Sequence, residues 1–265
     1  MAQTATKNPI KKIKQESDAP PAATKAEVAP RPVRHYRAWL FQSYVATAAL
    51  AFIALAFFAH TANYFSVDLQ IALAIQSINN VVFDRLMQYL TVLGFTPQVI
   101  LILVLTVLYQ YVTGLKWEAV MLLFSSFGAS MLGTLIKLVV ARPRPDANLV
   151  HVFEKLGEFS FPSGHVLFYV SLIGFLWFMS YTLWKPSWKR TLTLWVFGIT
   201  MVLAGVSRIY LGEHWPSDVF GSYLLGTIWL WVSIVVYNWG KTRFFVRQPV
   251  ASEAPRGDTR ASQTG

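Results

Sequence analysis

Two histidines, one aspartate and four cations fall in three short clusters of this chain, and their types and spacing suit the handling of phosphate. The first cluster runs from Lys137 to Pro145 and contains Arg142 and Arg144; the second is Phe161-Pro162-Ser163-Gly164-His165; the third runs from Ser207 and Arg208 through Glu213 and His214 to Asp218. Lys137, Arg144 and Arg208 bring positive charge and guanidinium forks that match the oxygens of a tetrahedral anion. Ser163 and Gly164 stand just before an apolar segment, where a hydroxyl and free backbone N–H groups meet the positive end of a helix. His214 has Asp218 four positions on. A carboxylate that accepts one ring N–H holds the tautomer and leaves the other nitrogen lone pair free to attack phosphorus. His165 is then available to protonate a leaving alkoxide. Lys137 taken alone reads equally well as a lysine snorkelling to headgroups, but the full set is better explained as a site.

The elements that must position these clusters are membrane spans. Of the 265 residues, 54% are hydrophobic, with 10 Trp and 19 Phe, which is too apolar for an ordinary soluble domain. A helix crossing the hydrocarbon needs about 20 apolar residues. Six stretches qualify, over 38 to 59, 97 to 115, 118 to 136, 166 to 184, 191 to 208 and 219 to 239. The expected fold is therefore all-α, a polytopic membrane protein with six transmembrane helices. Between the first two spans, Phe83, Leu86, Met87, Leu90 and Leu93 recur at helical spacing, with Asp84, Arg85 and Gln88 on the other face. That pattern predicts an amphipathic helix lying along the interface. Ser126, Ala129, Ser130 and Gly133 in the third span suit close helix packing, although they are also ordinary span composition.

Orientation follows from the positive residues, which are retained on the cytoplasmic side. With six spans, one face receives the N-terminal tail, the Lys116 loop, the loop from Lys185 to Arg190, and the C-terminal segment. That face holds all of the 23 Lys and Arg residues except Arg85, Lys137, Arg142, Arg144, Lys155 and Arg208. It is therefore expected to be cytoplasmic, with both termini there, in a plasma (inner) membrane. Span counting also puts all three clusters on the opposite, extracytoplasmic face. Residues 1–37 are expected to form a disordered basic tail, 38–240 a six-span domain, and 241–265 a second cytoplasmic tail. No cleaved signal is expected, because the first apolar run begins too far into the chain. Arg31, Arg34, His35 and Arg37 are placed to meet anionic headgroups.

Composition also narrows the chemistry. With no Cys there is no thiol nucleophile, thiolate zinc site or disulfide framework. No group of Asp, Glu and His with ligand spacing accompanies the clusters, so neither a metal nor another cofactor is expected. The formal charge of +10 lies mostly in the tails and loops, and no nucleic-acid-binding module accompanies it.

Lys137-x6-Arg144-Pro145, Pro162-Ser163-Gly164-His165 and Ser207-Arg208-x5-His214-x3-Asp218, in that order, resemble the three signature motifs of the type 2 phosphatidic acid phosphatase family. Every motif position is matched. The resemblance implies a six-helix membrane enzyme that hydrolyses lipid phosphate monoesters or pyrophosphates without metal, through a covalent phosphohistidine. By matching position it implies that Lys137, Arg144, Ser163, Gly164 and Arg208 hold phosphate. His165 would be the acid, His214 the nucleophile and Asp218 its partner. Arg142 lies outside the strict pattern; an interfacial position is favoured for it over contact with a second phosphate. Glu213, at a variable position, is expected to be solvated.

Vanadium-dependent haloperoxidases share these motifs, but they are soluble helical proteins and six apolar spans argue against that alternative. A phosphatase of a soluble phosphate ester is a further alternative, against which the location of the clusters at span ends favours a substrate arriving laterally from the bilayer. A non-catalytic lipid carrier would be marked by loss of the nucleophile or of an anion-binding cation, and none is lost. The lipid itself is left open among phosphatidate, phosphatidylglycerophosphate, undecaprenyl pyrophosphate and lipid A phosphate, as is the oligomeric state.

Overall fold

The computed structural model describes residues 31–94, 96–154, 156–157 and 159–245. Eight α-helices follow one another among these residues: α1 (Arg31–Thr61), α2 (Ser66–Gln76), α3 (Val81–Leu93), α4 (Thr96–Val112), α5 (Lys116–Val140), α6 (Gly164–Leu183), α7 (Trp188–Tyr210) and α8 (Pro216–Gly240). A π-helical turn, Lys241–Phe245, ends them. The fold is all-α, as expected. Five helices are each long and apolar enough to cross a membrane, and a sixth span arises when the bent pair α3 and α4 is taken as one. The chain is a multi-pass membrane protein.

Two expectations need adjustment. The predicted span over 97 to 115 is the shorter α4 of 17 residues, preceded by the bend from α3. The amphipathic residues Phe83 to Leu93 do form one helix, α3, but a further helix, α2, stands before it in the same connection. Asn80 separates the two by accepting the N–H groups of Val82 and Phe83 at 2.9 and 3.0 Å as the N-cap of α3. In α3, Met87 and Leu90 are buried, as their spacing requires, and the helix packs on α7. As for the tails, α1 is already helical at Arg31, inside the segment assigned to the first tail, while 1–30 and 246–265 lie outside the described residues.

α6 is the central helix and packs on α5, α7 and α8. Its sequence is apolar on every side, the pattern of a helix surrounded by other helices. Close approach to α5 depends on small residues: Ser126, Ala129 and Gly133 are buried, and a Cβ added at Gly133 would lie 2.7 Å from Leu167 of α6. The Ser125 hydroxyl donates to the Ser171 carbonyl at 3.1 Å across the same contact. The small residues of α5 thus form a packing face, whereas Ser130 points outward.

At one end of the bundle the α5–α6 and α7–α8 connections come together. Pro143 and Phe159 form an isolated antiparallel bridge, and the Ser160 N–H donates to the Arg142 carbonyl at 2.8 Å. Gln76, at the end of α2, ties both connections together. Its side-chain amide donates to the carbonyls of His151 at 2.8 Å and Tyr210 at 2.9 Å, and its carbonyl accepts the His151 N–H at 3.0 Å.

Candidate active site

Each predicted site residue sits at a helix end or in a connection at this end of the bundle. Lys137 is in the last turn of α5. Its Nζ is held by the Phe159 carbonyl at 3.0 Å, so the side chain bends toward the α5–α6 connection and does not reach along the helix axis to headgroups. Beyond it, Ala141 takes the left-handed conformation, with φ of 49°, and ends the helix. That conformation costs a non-glycine residue about 1–2 kcal/mol, and its effect is to turn Arg142 inward.

Arg144 is fixed from three sides. Its Nε donates to the Gly157 carbonyl at 2.5 Å, and one terminal nitrogen donates to the Glu213 carbonyl at 2.8 Å and lies 3.4 Å from His214 Nε2. Ser163 is the N-cap of α6, with Gly164 and His165 opening the helix. The Ser163 hydroxyl is fully buried and has no hydrogen-bond partner among the described residues. A buried orphan hydroxyl is costly, and its place beside free helix N–H groups fits an anion that completes it.

His214 is buried between two different environments. Its Nε2 faces Arg144, and its Nδ1 faces the Ser160 hydroxyl at 3.3 Å. Burial holds its pKa well below the ordinary imidazole value, and Arg144, Lys137 and Arg208 push in the same direction. The imidazole is accordingly neutral at pH 7, with Nε2 toward the cations.

The link from His214 to Asp218 is indirect, which corrects the direct contact inferred from the spacing. Nδ1 is 3.8 Å from Asp218 Oδ2, and Ser160 stands between them, donating its hydroxyl to that oxygen. The reason is that both carboxylate oxygens are already occupied. Asp218 lies in the first turn of α8, behind Pro216, and its Oδ2 accepts the Trp215 N–H at 2.9 Å. Its Oδ1 pairs with Arg142 at 2.6 Å. No motif pointed to Ser160; only its position two residues before Pro162 could have drawn attention to it.

Arg142 and Glu213 also depart from expectation. Arg142 is not interfacial: its side chain is fully buried, and it bridges Asp218 to Asp68 of α2, 2.9 Å away. Its Nε donates to the Asn63 carbonyl at 3.2 Å, and its guanidinium lies 4.8 Å from the Phe65 ring centroid. Removing one member of a buried ion pair strands the other, at a typical cost of about 3–5 kcal/mol. Glu213 is buried rather than solvated, and its carboxylate pairs with Arg208. The turn at Gly212, with φ of 67°, directs it inward, and a side chain at 212 would also collide with the His151 carbonyl. Arg208, in the last turn of α7, donates from its other terminal nitrogen to the Thr91 hydroxyl at 3.1 Å.

Lys137, Arg144, Gly164, His165 and His214 line one end of a cavity of about 1140 Å³. Its walls then run between α4, α5 and α6 past Leu135, Met131, Phe127 and Leu123. Asp218 lies behind His214, outside the cavity, and Arg208 is turned toward Glu213. The structure thus brings five of the eight predicted residues onto one cavity and places Ser163, Arg208 and Asp218 in the layer around it.

A bundle of apolar helices with a buried imidazole and a cation cluster at one end defines a class: a membrane protein with a polar anion pocket opening into an apolar groove. Residues 118–242 match the family model of the PAP2 superfamily. The chain is 29% identical over 181 residues to phosphatidylglycerophosphatase B of Bacillus subtilis, an alignment covering 68% of this chain and 87% of that protein. It is 36% identical over 111 residues to an undecaprenyl-diphosphatase of Sulfolobus acidocaldarius, covering 40% of this chain and 48% of that one. Among solved structures, a transmembrane PAP2-type phosphatidylglycerolphosphate phosphatase from Bacillus subtilis superposes with a TM-score of 0.66. Its identity is 25%, over 76% of this chain and 98% of that chain. LpxE of Aquifex aeolicus, at 22% identity and a TM-score of 0.54, covers 64% of this chain and 96% of its own and shares the fold. The chain is a membrane lipid phosphatase of the PAP2 type.

Proposed function

We propose that this protein hydrolyses lipid phosphate monoesters or pyrophosphates through a phosphohistidine on His214. The observation that carries the proposal is the continuity of the cavity, cationic and imidazole-lined at one end and apolar along α5 at the other. The groove suits a substrate with a phosphate head and a hydrocarbon tail. A soluble ester would leave its apolar length without a ligand. Similarity to proteins named for phosphatidylglycerophosphate and undecaprenyl diphosphate supports the same substrate class.

In this reading Lys137 and Arg144 hold the phosphoryl oxygens, together with the Ser163 hydroxyl, the Gly164 N–H and Arg208 once it is released from Glu213. His214 Nε2 donates its lone pair to phosphorus, and the phosphorus–oxygen bond to the lipid breaks as His165 gives that oxygen a proton. Nδ1–H stays on Ser160, whose own proton lies toward Asp218, so the positive charge formed on the ring is balanced by the carboxylate. Water then attacks phosphorus and yields its proton to His165, and inorganic phosphate leaves with His214 restored. The cations neutralise the charge of the transferring group, as metal ions do in other phosphoryl-transfer sites.

The test is phosphate release by protein purified in detergent, against phosphatidate, phosphatidylglycerophosphate, undecaprenyl pyrophosphate and a lipid A phosphate in excess EDTA. We expect turnover of at least one lipid, undiminished by chelator and inhibited by vanadate, whose trigonal-bipyramidal adduct resembles the transition state. Release that stops in EDTA and returns with magnesium would contradict the proposal. Halide oxidation with added vanadate would favour the haloperoxidase reading instead.

We also propose that the site faces outward across a plasma membrane, with the described helix termini at Lys116 and Trp188 on the cytoplasmic side. The concentration of Lys and Arg on that side supports it. Reporter fusions after residues 116 and 188 should read cytoplasmic, and fusions near 155 and 213 extracytoplasmic. The opposite pattern would reverse the assigned face.

A further inference from the structure

Asp68 belongs to α2, outside the segment matched by the family model, yet it meets the same buried arginine as Asp218. It is 3% exposed, and its bonds are numerous. Oδ2 accepts from Arg142 at 2.9 Å, from the Ser217 hydroxyl at 2.7 Å and from the Phe65 N–H at 3.2 Å, while Oδ1 accepts the Ser217 N–H at 2.8 Å. Arg142 in turn donates to the Ser217 hydroxyl at 2.7 Å and to Asp218 at 2.6 Å. A continuous polar chain therefore runs from His214 through Ser160, Asp218 and Arg142 to Asp68.

Charge along that chain matters because His214 becomes positive when it takes the phosphoryl group. Lys137, Arg144 and Arg208 oppose a further positive charge there, and the carboxylate of Asp218, 3.8 Å from Nδ1, lies close enough to favour it. An arginine directly behind Asp218 would cancel that carboxylate as seen from the ring, since buried charges interact strongly at short range. A second carboxylate on the far side of the arginine changes the sum: Asp68 and Arg142 neutralise each other, and Asp218 acts as an anion. We propose that Asp68 is a positioning residue of the phosphoryl-transfer site, neutralising Arg142 so that the charge of Asp218 serves the imidazolium formed at His214. This rests on the phosphohistidine reading given above.

The experiment compares Asp68→Asn, Asp68→Glu and the double variant Asp68→Asn/Arg142→Gln with wild type, using the lipid that wild type turns over best. Asp68→Asn should lower kcat on the order of tenfold with KM changed by less than about twofold, a coupling size usual for residues in one buried network. Asp68→Glu should recover most of the loss. The double variant should be faster than Asp68→Asn alone, because it removes the uncompensated cation; a residue that only braces the fold predicts the reverse. Unchanged kcat in Asp68→Asn, or a double variant as slow as or slower than Asp68→Asn, would overturn the role. Should Asp68→Asn not yield monodisperse protein, the double variant is compared with wild type directly. Turnover within about tenfold of wild type then supports the role, and a loss as large as that of Asp218→Asn overturns it. Labelled substrate trapped on wild type by alkaline denaturation separates the two levels. If label is absent from His214, both readings fall; if it is present while Asp68→Asn is unaltered, only the role of Asp68 falls.

Discussion

His214→Ala should lower phosphate release a thousandfold or more and abolish the covalent intermediate, because the variant loses the atom that receives the phosphoryl group. The geometry makes this the largest effect to expect from one side chain. Nε2 lies 3.4 Å from the guanidinium of Arg144, at the cationic end of the cavity, and Nδ1 is occupied by Ser160, so one nitrogen is directed at substrate and the other is committed to the protein. What survives in the variant is electrostatic: Lys137, Arg144 and the start of α6 still gather and polarise phosphate, so slow hydrolysis by water remains above the uncatalysed rate. The measurement is retention of label from the transferable phosphoryl group after alkaline denaturation, since phosphohistidine is labile in acid. Wild type should retain label on His214 and the variant none. Label retained equally by the variant would remove His214 as nucleophile.

The second large effect is expected at His165, and its signature is selective. A lipid alkoxide is a poor leaving group and needs a proton as the bond to phosphorus breaks, a contribution that general acids typically make at about 10²–10⁴-fold. His165 lies on the cavity in the first turn of α6, beside Gly164 and Ser163, so in the proposed mechanism it would meet the bridging oxygen from the same helix end that holds the phosphate. His165→Ala should therefore slow a natural lipid phosphate by about a hundredfold or more, while p-nitrophenyl phosphate, whose phenolate departs unaided, loses far less. Label should still accumulate on His214 with the activated substrate. Equal losses for both substrates would assign His165 to holding phosphate and not to protonating the leaving group.

Gly94 adds a structural condition to that role. It stands at the bend between α3 and α4, and a Cβ placed there would meet the His165 ring, with its nearest atom 2.2 Å away. The chain passes so close to His165 only because position 94 has no side chain. Nothing in the hydropathy of this stretch marks it, since a glycine between two apolar helices reads simply as a break.

The comparison of sequence with structure divides along the range of the interactions concerned. The apolar stretches that became the long helices and the helix start at Ser163 and Gly164 were legible, because each depends on residues within one or two turns. Counting spans also brought the three clusters to one face. Lys137, Arg144, Gly164, His165 and His214 consequently meet on one cavity, as their motifs implied.

What only the tertiary structure decided was the partner of each buried charge. Arg142 was assigned to the interface because its neighbours in sequence are at a span end, but its partners are Asp68 and Asp218, 74 and 76 positions away. Glu213, next to the proposed nucleophile His214 in a loop, reads as solvated from sequence, but the turn at Gly212 puts it against Arg208. Ser160 carries no motif, yet it stands between His214 and Asp218 where spacing alone suggested direct contact. Hydropathy and helix ends are local properties, so the sequence by itself determined where the membrane helices run and which residues could bind and transfer phosphate. A buried ion is stable only beside whatever opposite charge the packing delivers, and that choice belongs to the folded chain as a whole.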